Sequence, residues 1–142
     1  MKSNPIEYSV AVDPDKKIMS QFQNVSKVAI TLRESISATH NNWGAMLYGA
    51  TEKKAFFAPC RDGGYKPYKI TNIVDRVGGG DAFAAGLIFA LTTEELSSPQ
   101  TAISFAAAAS CLAHSIPGDF NYSSRSEVET LMRGSGSGRV VR

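Results

Sequence analysis

The chain has 142 residues, of which 43% are hydrophobic, so it can bury the core of one globular domain. Its 15 Lys and Arg residues nearly balance its 13 Asp and Glu residues, and no stretch is strongly basic, which argues against a nucleic-acid partner. No apolar run approaches the roughly 20 residues of a membrane span, and residues 1–5 lack the apolar core of a signal peptide, so we expect a soluble cytoplasmic protein without a membrane partner.

The first part of the sequence predicts a connecting segment, one strand and one loop. The segment ends at residue 23 and allows a short helix over residues 14–22. Residues 28–32 form an apolar, β-branched run, which is typical of a strand buried on both faces. The polar residues 33–42 then predict a loop.

The middle of the sequence predicts a β-hairpin followed by an extended segment. Two short apolar runs, residues 45–48 and 55–58, are separated by a polar stretch whose turn chemistry is weak. Residues 68–74 are expected to be extended.

Three helices are predicted after the glycines at 78–80. Apolar residues from Ala82 to Leu91 recur at helical spacing. Ser98 and Pro99 mark the start of a second helix, whose alanine run at 106–109 allows close approach of another helix or a flat ligand. Ser124 and Glu127 fit a capping box before a short last helix. Strands followed by helices predict an α/β layered fold with part of its sheet missing.

The glycine turn is the most informative stretch. Gly78, Gly79 and Gly80 stand where an extended segment becomes a helix, so backbone N–H groups at the positive end of the helix dipole can bind an anion. Asp81 would repel that anion unless it faces an incoming hydroxyl as a general base while the glycine amides stabilise a transferring phosphoryl group. From spacing alone, a tight turn followed by a helix-starting acid explains these residues about equally well.

Residues 75–86 closely resemble the D-[TR]-x-G-[AG]-G-D-x-[FW]-x-x-G signature of ribokinase-like (PfkB) sugar kinases. Neither a G-x-G-x-x-G nor a G-x-x-x-x-G-K-[ST] motif is present. Residues 27–35 and 70–91, together with the segment from Gly118 to Asn121, look most like bacterial 2-keto-3-deoxygluconate kinases. The resemblance implies a three-layer α/β/α, Rossmann-like fold. In that fold residues 1–142 would be the C-terminal nucleotide-binding and catalytic part, without the N-terminal half and its lid.

The resemblance also implies roles for single residues. Asp81 matches the catalytic base of the family and the three glycines match its anion hole. Asp119 resembles a substrate-contacting acid, although a polar turn residue beside Pro117 and Gly118 is the reading favoured by the sequence alone. Arg76 is expected to bind the substrate carboxylate or a phosphate, or to be a solvated loop residue.

Further implied roles concern the nucleotide. Thr31, Arg33 and Ser35 occupy the position of the family's ATP loop, where Arg33 replaces a usual glycine. Ala108 and Cys111 match positions that line the adenine pocket in the family, although a buried helix face accounts for these residue types equally well. The implied cofactors are ATP and Mg²⁺, with metal ligands and lid residues in the absent half.

Other residues are given structural interpretations. Cys60 and Cys111 lack partners at metal-ligand spacing, which predicts free thiols without zinc or a disulfide. His114 is interpreted as a helix-end residue. The N-x-x-E spacing from Asn4 to Glu7 is attributed to chance.

The resulting hypothesis is a kinase that transfers the γ-phosphoryl of ATP to a hydroxyl of 2-keto-3-deoxygluconate. Its partner is therefore a small sugar acid, and a homo-oligomer is allowed for the longer protein. The alternatives are a kinase for another sugar, such as fructose or ribose, and a nucleotide-binding module without catalysis.

Overall fold

A computed structural model describes residues 16–134. A helical stretch over residues 16–21 agrees with the short helix expected between 14 and 22, whose first two residues lie outside the described part. The Asn4 to Glu7 spacing also lies outside the described residues, as does most of the glycine-rich tail. Within residues 16–134, no helix combines the length and the apolar composition that a membrane crossing requires.

The described residues form six strands: β1 (Lys27–Ser37), β2 (His40–Gly49), β3 (Lys54–Ala58), β4 (Cys60–Arg61), β5 (Gly64–Tyr65) and β6 (Tyr68–Thr71). Four of them form an antiparallel sheet that is built around β2. That strand pairs with β1 along its whole length, with β6 through its first half and with β3 through its second half. Strands β4 and β5 form a separate small hairpin.

The hairpin predicted from residues 45–48 and 55–58 is confirmed, with Ala45 opposite Ala58 and Tyr48 opposite Ala55. The loop predicted for residues 33–42 is wrong, because β1 continues to Ser37 and β2 begins at His40. These residues read as a loop because the end of β1 is exposed and therefore polar. Their pairing is stabilised across the hairpin, where the Asn42 side chain donates a hydrogen bond of 2.7 Å to the Glu34 carboxylate.

Residues 28–32 form a strand as predicted, but they are only half-buried. Within the described part of the chain, β1 pairs with β2 and with no other strand, so it lies at the edge of the sheet. The expectation that this strand is buried on both faces is therefore wrong for the described residues.

Between the sheet and residue 134, where the described part ends, the chain forms three helices, α1 (Gly79–Leu91), α2 (Pro99–Ala113) and α3 (Arg125–Met132), with a 3₁₀ turn at Glu94–Leu96. The predicted caps are confirmed. The Ser98 side chain accepts a hydrogen bond from the Thr101 amide, and Ser124 and Glu127 form a complete capping box.

The core lies between the sheet and α2, which contacts β2 and β3. Alternate residues of β2, Trp43, Ala45 and Leu47, face this core. Helix α1 packs on α2 at Gly86, where an added Cβ would lie 3.1 Å from the Ala109 Cβ. Helix α1 therefore packs on the small residues of α2, and this packing holds the glycine turn at the start of α1 against the C-terminal end of α2.

Candidate active site

The glycine turn is fixed by backbone geometry and close contacts. Gly78 has a left-handed φ of +79°, and a Cβ at this position would lie 2.5 Å from the Asp119 carbonyl oxygen. A Cβ on Gly79 would lie 3.1 Å from Cε1 of His114, whereas one on Gly80 would meet no atom within 4 Å. The first glycine is thus required by conformation and space, and the third leaves an open face.

That open face presents unpaired backbone donors. The Gly78 carbonyl accepts the Ala82 amide at 2.8 Å, which closes the first turn of α1. The amides of Gly80 and Asp81 precede this bond in the first turn, where a helix offers N–H groups no intrahelical acceptor. Because the positive end of the helix dipole lies there as well, this surface can bind an anion.

The two predicted acids lie at this surface. Asp81 is exposed in the first turn of α1. Asp119 is also exposed, and its backbone packs directly against Gly78. The structure therefore brings the segment that carries Asp119 to the glycine turn, although the two lie far apart in the sequence.

Asp75 has a role that the sequence reasoning missed. Its Oδ1 accepts the backbone amides of Arg76 at 2.7 Å and Val77 at 3.0 Å, and its Oδ2 accepts the Gly118 amide at 3.0 Å. The hydrogen bonds from the Val77 and Gly118 amides lower the pKa of this carboxyl. Asp75 thus ties the glycine turn to the loop that carries Asp119. The available sequence signal was an Asp at the start of a turn, where Asx-type bonds are common.

Arg76 holds the glycine turn to the sheet. Its guanidinium donates hydrogen bonds to the carbonyl oxygens of Ser37, at 3.1 Å, and Ala38, at 2.6 Å, in the β1–β2 turn. Arg76 is therefore more than a solvated loop residue, because its side chain is bonded to the sheet. The role of Arg76 in substrate binding stays a prediction.

His114 ends α2 as predicted and is buried beside the glycine turn. Its Nδ1 lies 2.8 Å from the Ser110 carbonyl oxygen, and its ring meets the Trp43 ring edge-on with centroids 4.7 Å apart. Burial lowers the pKa of His114, and the nearby charges of Arg76 and Arg33 lower it further, whereas the Ser110 hydrogen bond opposes the shift. The ring is therefore held mainly neutral.

The predicted nucleotide residues fall into two groups. Thr31, Arg33 and Ser35 alternate along β1 and share one face, where Arg33 Nε donates to Ser35 Oγ at 3.1 Å. They lie on a strand and not on a loop. Ala108 and Cys111 are fully buried in the core, and burial raises the pKa of the Cys111 thiol to about 12. Contact between these two side chains and adenine stays a prediction and would require the core packing to open.

Within residues 16–134, Cys60 and Cys111 are both free thiols, as the sequence predicted. No three His, Cys, Asp or Glu side chains of the described residues are grouped so as to hold a metal ion.

The fold and the glycine turn are similar to part of several solved carbohydrate kinases, among them one of the PfkB family. One of them is 2-dehydro-3-deoxygluconokinase from Thermotoga maritima, which is 42% identical with a TM-score of 0.71 over 84% of this chain and 32% of its own. A PfkB family carbohydrate kinase from Listeria grayi is 26% identical with a TM-score of 0.72 over 94% of this chain and 36% of its own.

A 2-keto-3-deoxygluconate kinase candidate from Enterococcus faecalis is 28% identical, with a TM-score of 0.64 over 84% of this chain and 31% of its own. No family model and no curated protein matches the chain. The chain thus spans about a third of the length of the kinases it matches. The resemblance to ribokinase-like (PfkB) kinases, and the prediction of a partial domain with this mixed α/β fold, are confirmed.

Proposed function

We propose that the chain is the C-terminal, nucleotide-binding and catalytic part of a kinase that phosphorylates 2-keto-3-deoxygluconate, also called 2-dehydro-3-deoxygluconate. The observation that carries the proposal is the open anion surface at Gly80 with the exposed carboxylate of Asp81 in the same helical turn. An acid beside an anion site is unfavourable for simple phosphate binding but suits a reaction in which one group loses a proton and another gains negative charge.

In the proposed reaction, Asp81 accepts the proton of a sugar hydroxyl. The hydroxyl oxygen attacks the γ-phosphorus of ATP and forms a new bond to it. The bond between the γ-phosphorus and the β–γ bridging oxygen breaks, and ADP leaves. The amides at Gly80 and Asp81 donate hydrogen bonds to the phosphoryl oxygens as their charge redistributes. Mg²⁺ would neutralise phosphate charge when bound, and its ligands would come from outside the described residues.

Substrate recognition is divided between acceptors and cations. Asp119 lies against the glycine turn and is suited to accept hydrogen bonds from sugar hydroxyls. A carboxylate cannot bind the carboxylate of the substrate without a proton or cation between them, so a cationic group must take that role. Arg76 is one candidate, and a residue of the part of the kinase that this chain does not span is the other. The likeness to the Thermotoga maritima enzyme favours this sugar acid over fructose or ribose.

The experiment is a kinase assay of the longer protein that contains this chain. Asp81→Asn should lower kcat by roughly two or more orders of magnitude and change ATP affinity little, because the amide keeps the shape but cannot take the proton. Asp62→Asn is a matched control, since Asp62 is an exposed acid outside the glycine turn that forms an ion pair with Lys66. Undiminished turnover in Asp81→Asn would remove Asp81 from the mechanism.

A nucleotide-binding module without catalysis is the second candidate, favoured by the fact that the chain spans only about a third of the matched kinases. Calorimetry on the 142-residue chain should detect weak Mg²⁺-dependent ATP or ADP binding, while a coupled assay should detect no sugar phosphorylation. If the longer protein also binds ATP but phosphorylates no sugar, the second candidate replaces the first. Robust activity of the 142 residues alone would contradict the view that a substrate half is missing.

A further inference from the structure

Ser110 directs its hydroxyl out of its own helix. The side chain is fully buried, and Oγ donates a hydrogen bond of 2.7 Å to the Gly79 carbonyl oxygen at the start of α1. A serine inside a helix commonly bonds back to the carbonyl four residues earlier. Ser104, on the same helix, does so by donating to the Gln100 carbonyl at 2.7 Å. The contact of Ser110 therefore links two helices and is not a feature of α2 alone.

The acceptor of this bond controls a donor of the anion surface. The Gly79 carbonyl and the Gly80 N–H belong to one planar trans peptide, so they point in opposite directions and turn together. Holding the carbonyl fixes the direction of the N–H. Donation to the carbonyl also polarises the peptide, which makes its N–H a stronger donor.

The glycine turn needs such an external restraint. Glycine has the greatest backbone freedom of any residue, and a run of three offers no side chain to hold the turn in place. Gly78 is held by the Asp119 backbone and Gly79 is covered by the His114 ring, whereas no atom beyond the chain neighbours lies within 4 Å of the Cβ position at Gly80. The direction of the Gly80 amide therefore depends on the Gly79–Gly80 peptide plane, which Ser110 holds in addition to the helical bonding of α1.

We infer that Ser110 is a positioning residue that aims the Gly80 amide at the transferring phosphoryl group. The inference rests on the proposed function for its kinetic consequence. Ser110 contacts neither substrate nor nucleotide in this role, and it acts through the peptide between two glycines.

The test compares Ser110→Ala with Ser104→Ala in the longer kinase. Both variants remove one hydroxyl from α2, and alanine suits a helix already rich in alanine. Ser110→Ala should lower kcat about fivefold to tenfold, the scale of weakening one hydrogen bond to the transition state, with KM for the sugar unchanged. Ser104→Ala should resemble the wild type. An unchanged kcat in Ser110→Ala, or the same loss in Ser104→Ala, would overturn the inference.

A measurement that does not need turnover separates this inference from the proposed function. In protein labelled with ¹⁵N-glycine, the Gly80 amide resonance can be assigned by its disappearance in Gly80→Ala. Ser110→Ala should shift that resonance and speed its hydrogen exchange, and Ser104→Ala should not. If the wild type phosphorylates no sugar, the proposed function fails, and the Gly80 resonance still decides the inference. If the position and the hydrogen exchange of the Gly80 resonance are unchanged in Ser110→Ala, the peptide is held by other contacts and the inference is wrong.

Discussion

Alanine substitutions at Gly78 and Gly80 should separate stability from function. At Gly78 the backbone is left-handed, which costs a residue with a Cβ about 1–2 kcal/mol. The new methyl would also lie 2.5 Å from the Asp119 carbonyl oxygen, a backbone atom that cannot rotate away. With an overpacking cost of typically 1–3 kcal/mol, Gly78→Ala should lower the free energy of unfolding by about 2–5 kcal/mol.

Gly80→Ala should leave the fold intact and impair the reaction. No atom outside the chain neighbours and the backbone of α1 itself lies within 4 Å of the new methyl. The site is within α1, where alanine is favoured over glycine by up to about 1 kcal/mol. The free energy of unfolding should therefore stay the same or rise slightly. The methyl would occupy the open face of the anion surface, so kcat/KM should fall roughly tenfold or more.

Denaturant titration and a coupled kinase assay on the longer protein measure both quantities for each variant. Wild-type stability in Gly78→Ala would refute the packing of the Asp119 backbone against the glycine turn. Full activity in Gly80→Ala would refute the placement of the phosphoryl group at the open face. A loss of stability in Gly80→Ala as large as that in Gly78→Ala would mean that the two glycines do not differ as their surroundings indicate.

Three further predictions concern the acids and the histidine. Asp119→Ala should raise KM for 2-keto-3-deoxygluconate and lower kcat/KM roughly tenfold with little change in the KM for ATP; assays across this sugar, fructose and ribose test it, and unchanged selectivity would leave Asp119 as a turn residue. The lowered pKa of Asp75 means that its stabilisation is present above the ordinary value of 3.8 and is lost as the pH falls through the lowered value. Urea titrations should show this acid-dependent loss in the wild type and not in Asp75→Asn. The unfolded chain protonates His114 near 6.5 whereas burial keeps it neutral in the fold, so stability should fall as the pH drops from about 6.5 through the lowered folded pKa. His114→Gln should flatten that slope, and an equal slope in both proteins would show that other groups cause it.

The helices could be predicted from the sequence because their signals are local. Ser98 with Pro99, and Ser124 with Glu127, cap helices through bonds that span three residues or fewer. The glycine turn is local as well, since its role follows from three adjacent residues at the start of a helix.

The extended conformation of residues 33–42 could not be predicted from local sequence signals. Their side chains are polar and the strand is at an edge, so the hydrophobic pattern that marks a buried strand is absent. What makes them extended is pairing with β2, the bond from Asn42 to Glu34, and the capping of the hairpin turn by Arg76. Each of these is a contact between residues separated in the sequence.

Ser110 and Asp75 were missed for the same physical reason. Ser110 bonds to a residue 31 positions away and Asp75 to one 43 positions away. Nothing in the residues beside them indicates those partners. A small serine directly after an alanine run resembles a packing residue, and an Asp before a turn resembles an ordinary loop residue.

The contacts that assemble the site leave its acids available. The restraints on the glycine turn come from Asp75, Arg76, Ser110 and the Asp119 backbone, and each bonds to or packs against backbone atoms. The carboxylates of Asp81 and Asp119 stay exposed as a result. A general base and its substrate hydroxyl work best in a site from which water is excluded, where electrostatic interactions are stronger. The matched kinases are about three times as long as this chain, so we expect the rest of the kinase to supply that enclosure. The 142-residue chain should therefore bind nucleotide without phosphorylating sugar, whereas the longer protein should do both.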